Sequence, residues 1–280
     1  GVSPTALLEP ATEMARRCRV DSRSNPGLAL GVFMGGHAAA GRDKLTLLAS
    51  DPLAPFGVWV EQLVAESTGK RGLGVLPVVD EPFGPTREYA ADRAFVVMIA
   101  PGDRELEDRA DALENAGHPV FRIHTSAGEL GAEFFRWEFA TSVAGAVLGL
   151  NPFDEPDVRK AKVFPKAQLD APAATRAFAA DPPLTARGGY ALREHRGTRS
   201  GPARYLAVLD YLPAADRQGA VAALRAHLRA RLGLATTHGV GPRYLLSTGQ
   251  YHKGGPNTGV FLILTSGDAT LAQFGVEGAV

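Results

Sequence analysis

Cysteine is nearly absent from these 280 residues: Cys18 stands alone, so neither an internal disulfide nor a cysteine-based metal site can form. That usage fits a reducing, cytoplasmic setting. An excess of charge is missing too, because thirty Lys and Arg offset thirty Asp and Glu to a formal net charge of +0. No overall field therefore draws the chain to nucleic acid or to a membrane surface, and a small-molecule partner is expected. Apolar stretches such as Val143 to Leu150 fall well short of the roughly 18 residues that a membrane span needs. No dinucleotide fingerprint follows a strand, since Gly31, Gly35 and Gly36 fall inside a helical pattern, and there is no Walker loop. His37, His118, His124, His195, His227 and His238 make no local ligand pattern, so no metal is expected. The opening GVSPTALLEP has no initiator Met and no basic-then-apolar targeting pattern, and the expectation is a chain that begins inside a longer protein.

What is present is apolar residue enough, 45% of the chain, to fill one large core or two smaller ones. Helical spacing predicts helices over 5–19 and 27–40, and KLTLLA at 44–49 predicts a short buried strand. Ser50 and Asp51 are placed to cap a following helix, with Pro52 in its first turn and Phe56, Trp59, Val60, Leu63 and Val64 on its apolar face. Further strands are expected at 74–79, 94–100 and 119–124, with a polar helix over 104–116 and a long helix over 129–150. This alternation implies a parallel sheet covered on both faces, whose sites are expected at the carboxyl ends of strands. Residues 163–200, rich in Pro, Ala, Arg and Gly, show little periodicity; a strand at 205–212, a helix at 216–232 and a strand at 260–265 follow. The expected division is an α/β domain over 1–165, a linker or irregular wrap over 166–200, and a small, truncated α/β unit over 201–280.

Three stretches carry candidate chemistry. Glu66, in AESTGK, sits where a helix ends, a position at which a carboxylate opposes the helix dipole. By itself it reads as a solvated surface residue or as a group kept for a reason. Glu81, in VVDEPFG, is a competing carboxylate. The second stretch, NPFDEPDVRKAK at 151–162, ends on Lys162, which with Arg159 and Lys160 reads equally well as a basic solvated face. Asn151 and Asp154 there suit a turn and a helix cap. The third, GPRYLLSTGQYHKGGPNTGVFLILT at 241–265, reads as a glycine-rich loop that delivers a buried strand. Backbone amides around its Gly254 and Gly255 are placed to cradle an anion, or only to turn. The aromatic residues Phe134, Phe135, Trp137 and Phe139 read as core packing. Ala140, Ser142, Ala144, Gly145 and Ala146 on the same helix permit close approach of a neighbour.

As text, these stretches resemble glucose-6-phosphate isomerases. AESTGK is similar to a GESEGK-type loop whose first Glu shuttles a proton between C1 and C2, which implies Glu66 as base. VVDEPFG is similar, less closely, to a GEPG loop that carries the base in other branches. NPFDEPDVRKAK resembles the NPFDQP signature and its following active-site Lys, which implies Lys162 as the cation that assists ring opening and the enediolate; Glu155 replaces the usual Gln. STGQYHKGGPNTGVF resembles the branch fused behind transaldolase, in which LHSTGQ carries a ring-opening His. Leu246 holds that position here, and His252 is the remaining imidazole nearby.

The resemblance covers residues 1–165 as a second sugar-isomerase (SIS-like) domain of three layers, and 200–265 as the small C-terminal unit. It implies glucose 6-phosphate and fructose 6-phosphate as substrates, with Lys70, Ser247, Gln250 and Lys253 as substrate-binding residues and no cofactor. The family's first domain, with its phosphate loop and GGR segment, has no counterpart in this sequence, and GVSPTALLEP resembles the helix that follows that segment. The chain is therefore expected to need that N-terminal domain and to show little or no activity alone. A noncatalytic sugar-phosphate binding module is the alternative, favoured by Leu246.

Overall fold

The structure, a computed structural model, describes residues 3–154, 156, 204–213 and 219–264. The expected linker at 166–200 lies outside the described residues. Two antecedent helices, α1 (Pro4–Arg17) and α2 (Pro26–Ala39), lead into β1 (Lys44–Ala49) and α3 (Ala54–Thr68). Then come β2 (Leu76–Val78), β3 (Arg93–Ile99), α4 (Arg104–Asn115), β4 (Val120–His124) and α5 (Leu130–Leu148). The strands form one parallel sheet in the order β2-β1-β3-β4. Among the described residues no helix is long and apolar enough to cross a membrane.

All seven residues of β3 are buried, as a parallel strand covered on both faces requires. One face of the sheet, through Leu45, Leu47, Val96 and Met98, meets Leu30, Val60 and Trp137 from α2, α3 and α5. The other, through Leu48, Phe95 and Val97, meets Leu106, Ala110 and Leu113 of α4. The α/β class and its three-layer parallel sheet are as expected. Each large side chain buried in this way contributes about 1.5–3 kcal/mol, so Trp137, at 0% exposure, is scaffold as its sequence context suggested.

The glycines of α2 have a packing reason. A Cβ at Gly31 would lie 2.5 Å from both the carbonyl of Ala140 and Cβ of Val143, and one at Gly35 would lie 2.8 Å from Cβ of Val147. Spaced four apart, they form a smooth ridge along which α5 lies against α2 backbone. Ser50 does not cap α3; its hydroxyl donates to Asp103 Oδ2 at 2.6 Å and accepts from the Ala100 amide at 2.9 Å. Asp103 in turn caps α4 by accepting from the Leu106 amide at 3.0 Å.

The C-terminal unit is a second parallel sheet, ordered β6-β5-β7, built from β5 (Tyr205–Asp210), α6 (Ala220–Leu232), β6 (Ala235–Val240), α7 (Ser247–Gly254) and β7 (Gly259–Leu264). Leu206 and Val208 pack on Val221 and Leu228 of α6. The opposite face, through Tyr205, Ala207 and Leu209, packs on Tyr251 of α7, Ala65 of α3, and Leu76 and Val78 of β2. Strand β6, ATTHGV, and helix α7 were not expected. The strand has only two aliphatic side chains, at Ala235 and Val240, and α7 holds two glycines, Gly249 and Gly254. Both elements are specified by tertiary packing rather than by local propensity.

Candidate active site

Helix α3 returns from the carboxyl end of β1 to the amino end of β2, which is parallel to β1. Glu66, half-buried in the last turn, therefore lies at the amino edge of the first sheet and not at the carboxyl ends where a site was expected. The helix end is fixed by Thr68, whose hydroxyl donates to Val64 O at 2.8 Å and accepts from the Val75 amide at 2.9 Å. A tight turn follows, closed by reciprocal Lys70 and Leu73 backbone bonds of 3.0 and 2.9 Å, with Arg71 and Gly72 at φ 55 and 76.

Lys70 is 2% exposed, and its ammonium donates to Asn151 O at 2.7 Å, to Asp154 Oδ1 at 2.9 Å and to Asp154 O. Three donors meet three acceptors, so the side chain holds the NPFD turn in place. Asn151 shapes that turn as expected, its Oδ1 accepting from the Phe153 amide at 3.1 Å. The turn is delivered by α5, which ends on Gly149 at φ 68 with Leu150 N donating to Gly145 O at 2.8 Å. Lys162, eight residues past Asp154, lies outside the described residues.

Helix α7 completes the grouping. Gln250, at 0% exposure, donates from Nε2 to Gly69 O at 2.8 Å, and Gly72 N donates to Gly254 O at 2.8 Å. A Cβ at Gly69 would lie 2.7 Å from Cβ of Tyr251, so glycine is needed where α7 crosses the loop. Ser247 is half-buried at the start of α7, Lys253 is exposed, and Leu246 is 56% exposed at the N-cap. The anion cradle proposed around Gly254 and Gly255 is not formed: Gly254 belongs to the helix, and Gly255 N donates to Tyr251 O at 2.9 Å.

His252 is half-buried, its ring stacked on Tyr205 and edge-on to Phe261, with Nδ1 2.7 Å from the Tyr205 hydroxyl. Burial, with Lys253 adjacent, pushes its pKa down to about 4, so the imidazole is neutral at pH 7. Burial likewise raises the Tyr205 phenol. A neutral imidazole bonded to a neutral phenol can accept or relay a proton.

Glu81 is excluded as a base. Its carboxylate accepts from Arg93 Nη2 at 2.9 and 3.1 Å, from the Thr236 amide at 2.8 Å and from the Thr236 hydroxyl at 2.7 Å. Burial raises its pKa, but Arg93 and the Thr236 hydroxyl outweigh that and hold it below the usual value. It joins the two sheets, as does Arg225, which donates to Asp80 O at 2.7 Å, Val79 O at 2.9 Å and Thr236 O at 2.6 Å. None of this network was legible as a motif, since its members are scattered from 79 to 236.

The carboxyl ends of β1, β3 and β4 do carry cavities, of about 420 and 460 Å³. Asp51, Asp103, Glu105, Glu107 and Glu129 line them together with Arg104, Arg109 and His124, and Pro52 and Pro55 remove amide donors from the start of the following helices. Among the described residues no group of three or more His, Cys, Asp or Glu is arranged to hold a metal.

No family model matches the chain. It is 26% identical over 201 residues to a glucose-6-phosphate isomerase of Methanocaldococcus jannaschii, covering 58% of this chain and 50% of that protein. It is also 26% identical over 219 residues to a glucose-6-phosphate isomerase of Rubrobacter xylanophilus, covering 61% and 49%. A probable glucose-6-phosphate isomerase of Methanococcus maripaludis is 24% identical over 196 residues, covering 56% and 44%. The matched stretch thus spans about half the length of these relatives. Among solved structures, a hypothetical protein of Thermus thermophilus superposes with a TM-score of 0.55 at 20% identity, covering 61% of this chain and 51% of that one. That likeness carries the α/β fold; the named relatives carry a similarity to glucose-6-phosphate isomerases over part of the chain.

Proposed function

We propose that this chain supplies the proton-transfer part of a glucose-6-phosphate isomerase site. The observation that carries the reading is convergence. AESTGK, NPFD and STGQYHKGG are far apart in sequence, yet Lys70 bonds to Asn151 and Asp154, and Gly69 and Gly72 bond to Gln250 and Gly254. All three meet at the loop that follows α3, which begins at Gly69, three residues after Glu66 in sequence.

In this mechanism Glu66 removes the C2 proton of the ring-opened aldose as the C1 carbonyl oxygen takes up the electron pair, giving a cis-enediolate, and the O2 proton passes to O1. The same carboxyl, now protonated, returns its proton to C1 as O2 collapses to the ketose carbonyl, so one base serves both halves and no redox cofactor is required. Lys162 stabilises the oxygen on which negative charge develops. His252, a neutral imidazole, stands in for the ring-opening residue whose position Leu246 occupies. Lys70 and Gln250 act by positioning, while Ser247 and Lys253 are the contacts proposed for substrate. The phosphate anchor belongs to the part of the relatives' length that this chain does not match. Without it the sugar is poorly oriented for proton transfer. We attribute the C-terminal unit to the type fused behind transaldolase, on its STGQYHKGGPNTGVF text.

Conversion of fructose 6-phosphate to glucose 6-phosphate is the test. Low turnover is expected of the 280-residue chain alone, and ordinary turnover when it is joined to the remaining half of the isomerase. In that joined protein Glu66→Gln should lower kcat by about 100-fold or more while substrate binding persists. Unchanged turnover in Glu66→Gln would sink the assignment. Leu246 favours a second reading, a noncatalytic sugar-phosphate binding module, which predicts binding without turnover even in the joined protein.

A further inference from the structure

A different face of α3 carries a second carboxylate. Glu61 lies five residues before Glu66, about 140° around the helix, and is 8% exposed against the C-terminal sheet. With Ala65, Thr237, His238, Thr248 and His252 it lines a gap of about 10 Å³, which is the room of one water molecule. Its Oε2 accepts from Gln62 Nε2 at 3.2 Å, and no described residue forms an ion pair with it. The charged groups that face it come from every neighbouring element: Asp80 after β2, Arg225 on α6, Arg243 after β6, His238 on β6 with its partner Asp210 on β5, and His252 on α7. Arg225 donates to three backbone carbonyls, so it does not close on the Glu61 carboxyl.

We propose that Glu61 is a proton-operated latch in this seam: the neutral acid closes α3 onto β6 and α7, and the carboxylate loosens that contact. A carboxylic acid can donate a hydrogen bond across a narrow gap, directly or through one water, whereas the carboxylate is an unpaired buried charge. Burial pushes the Glu61 pKa up from 4.5 to about 7, with Arg225 and Arg243 opposing and Asp80 reinforcing. The folded chain therefore holds a proton that the unfolded chain releases. That contribution to stability is full below pH 4.5 and is lost as pH rises through about 7. The latch concerns folding and docking only, so it does not depend on the isomerase reading.

The test compares urea unfolding of the 280-residue chain with that of Glu61→Gln at several pH values from 4.5 to 8.5. Gln keeps the shape and cannot ionise. The folding constant of the variant relative to the original should rise with pH by about 100-fold between pH 4.5 and 7, then level off. Amide exchange in α7 should be faster in the original chain than in the variant at the same pH, by a factor that grows over the same window. A ratio independent of pH would overturn the proposal. Should Glu61→Gln fail to fold, the ¹³C carboxyl resonance of Glu61 in the original chain decides: titration near 7 supports the latch and titration near 4.5 overturns it.

Discussion

Lys70 and Asp154, 84 residues apart in sequence, meet at 2.9 Å, and the same ammonium also binds the carbonyls of Asn151 and Asp154. The bond joins the end of α3 to the turn that leaves α5, with the cation 2% exposed and the carboxylate 51% exposed. The exposed partner can be rehydrated; the carbonyls that Lys70 satisfies are fixed by the turn. Lys70→Met should therefore cost about 1–3 kcal/mol, and Asp154→Asn less than about 1 kcal/mol. Urea denaturation of both variants checks the order, and equal costs would contradict it.

Arg93 and Glu81 are both buried, at 0% and 6% exposure, and Glu81 also receives the amide and hydroxyl of Thr236 from the second sheet. Arg93→Met leaves a buried carboxylate with Arg229 at 3.9 Å as its nearest remaining cation. The expected loss is about 3–5 kcal/mol, since one partner of a buried pair has been removed. Adding Glu81→Gln should recover part of it, because no unpaired charge remains and the Thr236 bonds can persist. The depressed pKa of Glu81 adds a pH signature: its contribution is present above 4.5 and lost as pH falls below that value. Thermal unfolding of the single and double variants at pH 7 and pH 4 measures both effects.

The first sheet was legible because its strands are continuous apolar runs and its helices keep a 3.6-residue period, as AFVVMIA and Phe56 to Val64 illustrate. The second sheet was half legible: VFLILT reads as a strand, while ATTHGV hides its inward residues among threonines, a histidine and a glycine. At the candidate site, the textual resemblance to glucose-6-phosphate isomerases nominated Glu66, Gln250 and His252, but not their environment. That Gln250 is wholly buried on Gly69 depends on α7 being a helix packed on α3, which its composition does not announce. Glu61 was invisible for a related reason. It sits at an ordinary surface position of the helical pattern, and only docking of the C-terminal unit buries it.

Gly35 and Gly36 are adjacent on α2 and should respond with opposite signs. A Cβ at Gly35 would meet Cβ of Val147 at 2.8 Å and Cα of Ala144 at 3.1 Å, whereas one at Gly36 would meet nothing within 4 Å. Gly35→Ala forces α2 away from α5 and should destabilise by about 1–3 kcal/mol. Gly36→Ala gains helix propensity without a clash and should stabilise by about 0.5–1 kcal/mol. Two denaturation midpoints displaced in the same direction would refute the ridge.

His252 and Glu61 share one gap and act oppositely on stability as pH changes. The His252 pKa falls from 6.5 to about 4 on folding, mainly through burial, so the unfolded chain takes up a proton that the folded chain refuses. Its contribution is full above pH 6.5 and is lost, by up to about 3 kcal/mol, as pH falls toward 4. Glu61 loses its contribution in the opposite direction, from pH 4.5 up to about 7. Over the shared window the two slopes offset each other, and the original chain should show a nearly flat profile from this pair. His252→Gln should expose the Glu61 slope, with stability falling as pH rises from 4.5 to 6.5. Glu61→Gln should expose the His252 slope, with stability rising across the same interval. Urea titrations at half-unit pH steps separate these outcomes, and parallel profiles for the two variants would show that the groups do not titrate in this seam.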